Sequence, residues 1–477
     1  MFQDVGEFSS EHIDHIWSLG VRVAATAFFA LLLTISVVAS AREVVVTDSA
    51  TLRAAIASAK PGDRIVVMPG EYRLTKQLIR NGGVPGNPIT VTALVPAQTR
   101  IRTAVVELFK LRAPYWVFEK LTFVGTAGTH HAFHIVRDAD HVVLRGNRFL
   151  NFHSAIKGNP ERGRTPDYVT IESNIFLNDA PRQTTAPTTP IDVVGGIGWI
   201  IRKNFIADFG GTGRDSISYG AFLKGGSRGG LMERNLVVCE WRHSGGRRVG
   251  LSFGGGGSPR KFRSEDNSEH VGGIMRNNII INCPNAPGIY LNRSRNSKIY
   301  NNTIFDAYGI MARFPAGLSY IRNNIVSSAI TERSGARIVT GKNLTTGWGI
   351  GTYIPGGTLK LVHRISDYHV KYPSLFDASD IRWAQNTIQR FGAWLGQSGI
   401  GRGGSDFPRW FVAPEIANFD LVSGTKFIGK GDRLPEVKDD FCGRPRQNLT
   451  VDLGAIEYRE GRCDVKAWIT DQFRPFE

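Results

Sequence analysis

One pattern of apolar and polar positions recurs seven times between residues 142 and 327. The segments are VVLRGNRF (142–149), VTIESNIF (169–176), WIIRKNFI (199–206), GLMERNLV (230–237), GIMRNNII (273–280), KIYNNTIF (298–305) and YIRNNIVS (320–327). Each carries one aligned asparagine: Asn147, Asn174, Asn204, Asn235, Asn278, Asn302 and Asn324, spaced by 27, 30, 31, 43, 24 and 22 residues. Two residues further on stand Phe149, Phe176, Ile206, Val237, Ile280, Ile304 and Val326. Before the asparagine stand Leu144, Ile171, Ile201, Met232, Met275, Tyr300 and Ile321. Strand alternation turns both sets into one interior. Self-similarity at this period, with strand–Asn–strand units, predicts an all-β right-handed parallel β-helix in which coils stack as a solenoid. The asparagine, read as the bend residue, is expected to take a left-handed backbone and to bond its stacked neighbour.

A second column points outward: Arg145, Glu172, Arg202, Glu233, Arg276, Asn301 and Arg322. Stacked strands lie about 4.8 Å apart, so the alternating signs of the first five attract, and these residues read as scaffold. Upstream, Leu52, Ala55, Ile56 and Ala59 form one stripe of a short capping helix that Asp48 or Ser49 starts and Pro61-Gly62 ends. Short strands follow at 64–68 and 88–92. The β-helix is expected over 42–345. Residues 346–477 are expected to form irregular C-terminal coils and a cap, with a short helix near Ile388, Phe391 and Trp394, a last coil at 418–431, and a turn and strand at 439–458 that protect the exposed end.

Residues 23–38 are sixteen uncharged, largely apolar positions followed by Ala39-Ser40-Ala41, the form of a secretory signal peptide. The segment before it carries Asp4, Glu7, Glu11 and Asp14 against Arg22, so an uncleaved anchor is the alternative. The whole chain of 477 residues carries 58 Lys+Arg and 42 Asp+Glu, net +16; losing residues 1–41 removes one positive and four negative charges and leaves +19. A secreted or periplasmic chain of that charge calls for an acidic polysaccharide rather than nucleic acid as its partner. No stable membrane span is expected if the signal is cleaved, and the chain is expected to be a monomer. Cys442 and Cys463 are expected to pair, while Cys239 and Cys283, each ending an apolar run, read as buried free thiols.

The stretch AKPGDRIVVMPGEYRL…GNPITVTA…WVFEKLTFVG (59–125) resembles the N-terminal coils of the polysaccharide lyase family that contains chondroitinase B and alginate lyases. The tail DDFCGRPRQNLTVDLGAIEY (439–458) resembles the end of secreted right-handed β-helix proteins, and AFLKGGSRGGLMERN (221–235) with LSFGGGG (251–257) is similar to β-helix proteins related to those lyases. The resemblance implies a lysine base on one coil, an Arg-His pair on the next, and calcium held by carboxylates. Lys224 occupies the place of the lysine. Phe253, Gly254 and Gly255 stand where the Arg-His pair belongs, so the acid has to come from elsewhere.

The two long spacings between Asn204 and Asn278 put the excess residues into loops, where a rigid scaffold carries function. That window holds Asp215, Lys224, Arg228, His243, Arg247, Arg248, Lys261, Glu269 and His270; neighbouring coils add Asp192, Arg293 and Arg313. β-Elimination from a uronate needs a neutralised carboxylate, a base and an acid. The expected catalytic set is Lys224 as base, Arg248 on the carboxylate and His270 as acid. Arg247, His243, Arg293 and Arg313 are expected to bind substrate, with His243 a second candidate acid and Arg247 a second candidate for the carboxylate. Asp192 and Glu269 are expected to hold calcium. A uronate epimerase on the same face, or a glycan-binding β-helix without catalysis, are the alternative readings.

Overall fold

The computed structural model describes residues 42–213, 217–345, 411–413, 418–423, 425, 428–459 and 463. The signal segment, Asp215 and the helix expected near Trp394 lie outside them. Among the described residues no helix is long and apolar enough to cross a membrane.

The repeat builds three long sheets, each strand lying parallel to the strand one coil away. The first has 12 strands, from Glu43–Val46 to Arg337–Gly341; the second has 11, from Gly70–Arg73 to Leu344–Thr345; the third has 10, from Gln77–Ile79 to Ile330–Arg333. Strands follow one another in chain order in every sheet, so the chain visits first, second and third sheet once per coil and then climbs. This is the right-handed parallel β-helix that the repeat predicts. The helix Ser49–Ser58 opens it: Asp48 caps the helix by accepting from the Ala50 and Thr51 N–H groups, and Leu52, Ala55 and Ile56 are buried in the same core as the first coils.

The interior is the set of residues flanking the asparagines. Leu144, Ile171, Ile201, Met232, Met275 and Ile321 are fully buried, as are Ile206, Val237, Ile280 and Ile304, and Phe123, Phe149 and Phe176 stack at 5.2 and 4.9 Å between ring centres. The sixth coil corrects the reading of Tyr-Asn-Asn by one place. Ile299 faces the core there, and Tyr300, not Asn301, joins the outward column between Arg276 and Arg322. In that column Arg202 meets Glu172 at 2.5 Å and Arg276 meets Glu233 at 2.6 Å; Arg145 pairs with Glu119, a member one coil earlier, at 2.7 Å.

The asparagines form a continuous buried ladder at the bend between the first and second sheets. In each coil the asparagine N–H and Nδ2 both donate to Oδ1 of the next asparagine, from Asn147 through Asn174, Asn204, Asn235, Asn278, Asn302 and Asn324 to Asn343. The left-handed residue, however, is the one before it: Gly146, Ser173, Lys203, Arg234, Asn277, Asn301, Asn323 and Lys342 have φ between 46° and 61°. A side chain beyond Cβ costs about 1–2 kcal/mol in that conformation. The bend is held because the asparagine beside it supplies both a donor and an acceptor to the stack.

Two further expectations are corrected. Cys239 and Cys283 are not free thiols: they end stacked strand runs of adjacent coils, which sets their Cα atoms 5.0 Å apart and joins them in a disulfide. Cys442 and Cys463 are also bonded. Asn418–Leu421 is no parallel coil but pairs antiparallel with Phe411–Ala413. The segment 428–459 runs along the flank of the solenoid. Phe441, Leu453, Ala455 and Ile456 bury the outward residues Phe205, Leu236, Val238, Ile279 and Ile281 of the second sheet. The asparagines before the ladder tie it down: Asn277 Nδ2 donates to the Asp439 carbonyl, Asn301 Nδ2 to that of Asp452, and Asn323 Nδ2 to that of Asp432.

Replacing Asn235 by alanine strands the Asn204 N–H inside the core and takes from the Ile201 carbonyl the amide that donates to it, at about 1–3 kcal/mol for each unpaired group, while the Asn278 Oδ1 keeps the backbone N–H of residue 235. Urea unfolding of Asn235→Ala is expected to show at least about 2 kcal/mol of destabilisation, against about 0.2–1 kcal/mol for Glu172→Gln on the ion-pair column. Equal losses would contradict the ladder's role.

Candidate functional site

The third sheet carries its outward side chains in register. Lys157 pairs with Asp192, Asp192 with Phe222, Phe222 with Ser252, Ser252 with Tyr290, and Tyr290 with Met311. One outward place further along the strand stands Lys224. Its Nζ lies 4.1 Å from the centre of the Phe222 ring, and no described carboxylate forms an ion pair with it. Burial favours the neutral amine and lowers its pKa; the Asp192 charge opposes this and the Lys157 charge adds to it. Asp192 itself is bound to Lys157 at 2.7 Å through Oδ2, while its Oδ1 is buried without a partner.

Gly255 explains how the lysine reaches this position. A Cβ there would come within 3.0 Å of Lys224 Cδ and 3.7 Å of Nζ, so the missing side chain is the space the lysine fills. Tyr219 is on the other side of the same residue, its hydroxyl donating to the Gly255 carbonyl at 3.0 Å. Burial raises the Tyr219 pKa, so the phenol stays protonated. Gly255, Tyr219, Tyr290, Val249, Met311 and Asn292 line a cleft of about 620 Å³ with Arg247, Arg313 and Arg333 at its rim, and no carboxylate of the described residues lines it. Asn292 Nδ2 donates to the Tyr290 hydroxyl at 3.1 Å, leaving its Oδ1 unpartnered. The cleft therefore offers tyrosine rings and three guanidinium groups, with the Lys224 amine beside it, behind Gly255.

The structure brings only part of the expected set to this face. Lys224, Arg247 and Arg313 are there. Arg248 is not: its side chain is 2% exposed and donates to the carbonyls of Cys239, His243 and Gly245, so its guanidinium holds the 239–245 turn. His243 belongs to that turn, with Nε2 donating to the Asn178 carbonyl and Nδ1 accepting from Arg248, each at 3.2 Å; burial holds its pKa down to about 4. His270 is in the interior, stacked on Phe253 at 4.1 Å and bonded through Nδ1 to Ser227 Oγ at 2.7 Å, with its pKa driven by burial to about 3. It stays neutral and has no route to a substrate. Arg293 does not line the cleft; its guanidinium lies over the Phe314 ring at 4.8 Å, where Arg313 of the neighbouring coil also packs, at 4.6 Å, while still lining the cleft.

Asp192 and Glu269 do not suit calcium, which takes six to eight oxygen ligands. Both Glu269 oxygens are taken, by the Gly225 N–H and by Arg263, each at 3.0 Å, and only Oδ1 of Asp192 is open. Among the described residues no group of three or more histidine, cysteine, aspartate or glutamate side chains is placed to hold a metal ion. Tyr219, Phe222, Tyr290, Arg333 and Lys157 were not singled out by the sequence. The signal that finds them is the alternation within 217–224 and its register with 156–159, 191–194 and 289–292.

No protein-family profile matches this chain, and no curated protein matches it in sequence. Solved structures do match in fold. The pectate lyase Pel9A superposes with a TM-score of 0.51 at 12% identity, over 88% of this chain and 97% of its own. A family 6 polysaccharide lyase of Pseudopedobacter saltans matches at 15% identity with a TM-score of 0.39, over 63% of this chain and 92% of its own. A rhamnogalacturonan lyase matches at 14% identity with a TM-score of 0.37, over 63% and 82%. At 12% identity the superposition on the pectate lyase shows a shared parallel β-helix architecture and nothing beyond the fold.

Proposed function

We propose that this protein cleaves an acidic, uronate-containing polysaccharide by β-elimination on the outer face of the third sheet. The observation that carries the reading is Lys224: an amine with a lowered pKa and no carboxylate partner among the described residues, lying against Gly255 of an arginine-rimmed cleft that no described acidic side chain lines. The pectate lyase fold neighbour lends weight to the same reaction class.

The roles follow from the positions. Arg247, Arg313 and Arg333 neutralise the uronate carboxylate, which acidifies the hydrogen on the adjacent ring carbon. Neutral Lys224 removes that proton. The electron pair moves to form the ring double bond, the bond from the neighbouring carbon to the glycosidic oxygen breaks, and the leaving oxygen takes a proton from the Tyr219 hydroxyl. Tyr219 takes the acid role expected of His270 or His243, and Arg313 and Arg333 join Arg247 in the carboxylate role expected of Arg248, because His270, His243 and Arg248 are committed to the scaffold. Tyr219 and Tyr290 also supply ring faces against which a sugar can pack.

Lys224→Ala is expected to reduce formation of the unsaturated product, followed by ultraviolet absorbance on pectate, alginate and chondroitin, by about 100-fold or more. Wild-type protein inactive on all three polymers removes the lyase reading; a change of uronate stereochemistry by NMR without cleavage replaces it with epimerisation.

The base works only when neutral, so the rate rises with pH until the lowered Lys224 pKa is passed. The Asp192 charge favours the ammonium form. Asp192→Asn is therefore expected to move the rising limb of the pH–rate profile to lower pH; a shift upward or no shift assigns that limb to another group.

A further inference from the structure

A second cleft, of about 600 Å³, opens on the far side of Lys224. It is built from three turns that stack at the exit of the third sheet: the 160–165 turn, Gly195 to Ile197, and Gly225 to Arg228, with Phe262, Arg263 and Ser264 closing one wall. Gly225 follows Lys224 directly in the chain. At Gly225 φ is +65°, and a Cβ would fall 2.5 Å from Val194 Cγ1. The floor here has to be bare backbone, a consequence of how tightly the turns stack.

The charges of this cleft have one sign. Arg162, Arg228 and Arg263 line it, and no aspartate or glutamate among the described residues does. Arg263 is engaged with Glu269 at 3.0 Å and Asn267 at 2.9 Å. Arg162 and Arg228 are exposed and form no ion pair with a described residue. Glu161, beside Arg162, is occupied by Lys110 at 2.9 Å and Arg112 at 2.6 Å, which hold its pKa down to about 2 and leave it no share in the cleft's charge.

Both clefts touch the same lysine. Gly255 of the first lies against the Lys224 side chain, and Gly225 of the second continues its backbone. We infer that the two clefts are one binding path for an anionic oligosaccharide, crossing the sheet obliquely at Lys224, and that Arg162 and Arg228 hold a carboxylate of a sugar unit beyond the reacting one. The inference rests on the lyase reading of the Lys224 face and adds to it the site of the distal charge. Two arginines presented to one ligand over a side-chain-free floor give charge-assisted, fork-shaped recognition that a neutral glycan does not earn.

The test uses Lys224→Ala protein as the parent, so that the ligand survives, and hexagalacturonate and hexamannuronate as probes in calorimetry. Adding Arg162→Ala and Arg228→Ala is expected to weaken the tighter-binding hexamer about tenfold or more. A charge-matched control adds Arg53→Ala and Arg80→Ala, two exposed arginines elsewhere on the chain, and is expected to change affinity less than about twofold. Thermal unfolding of each variant checks that the fold is kept. Equal losses in the two variants, no loss in the first, or no binding of either hexamer to the parent overturns the path. Cleavage by wild-type protein without the specific loss overturns the path and leaves the lyase reading standing; tight, arginine-dependent binding without cleavage does the reverse.

Discussion

The whole architecture depends on stacking identical backbone bends in register along one axis. Parallel coils gain hydrogen bonds only if every coil turns at the same place, and the asparagine ladder enforces this from Asn147 to Asn343. Each amide bonds the coil before it and the coil after it, and it does so where no water can substitute. Coil lengths between these bends vary from 19 to 43 residues, so the ladder tolerates insertion everywhere except at the bend itself. Long loops are added without cost to the core, and a functional face can be elaborated on a fixed frame.

With the interior filled, the outer faces of the three sheets have different fates. The first sheet faces outward with paired charges, each carboxylate matched to an arginine one coil away. The second carries apolar residues outward, and the 428–459 segment covers them, tied down by backbone contacts to Asn277, Asn301 and Asn323. The third is different: Tyr219, Phe222, Val249, Ala286 and Tyr290 form a small apolar cluster on its outer face, beside a lysine and a rim of arginines. Neither an ion-pair column nor the described tail claims it. The third sheet is where we place the proposed chemistry, because the other two faces are committed to holding the solenoid together.

How much of this was legible in the chain depends on which residues repeat. The asparagine column, its apolar neighbours and the outward charges were readable because each recurs coil after coil. One slip, Tyr300 for Ile299, came where two adjacent asparagines offered two alignments and only strand pairing chooses between them; a second put the left-handed backbone on the asparagine and not on the residue before it. The candidate site was less legible. Arg248, His243, Glu269 and His270 looked like loop chemistry in a polar stretch, yet each satisfies a turn or a neighbouring coil that lies far away in the sequence. Cys239 and Cys283 looked like core thiols because nothing local shows that two strand ends 44 residues apart are stacked neighbours.

Taken by itself, the sequence determined the class of fold and the bend to within one residue, since these follow from local periodicity, while Lys224 was singled out by resemblance to known lyases. The tertiary structure decided which polar residues remain available. Whether a histidine or arginine meets solvent or a buried carbonyl depends on the coil above and below it, at separations set by loops whose lengths follow no rule. For that reason the basic excess of the chain says little about function, and the proposal rests instead on three arginines at a cleft that no described carboxylate lines and on the partly desolvated lysine beside it.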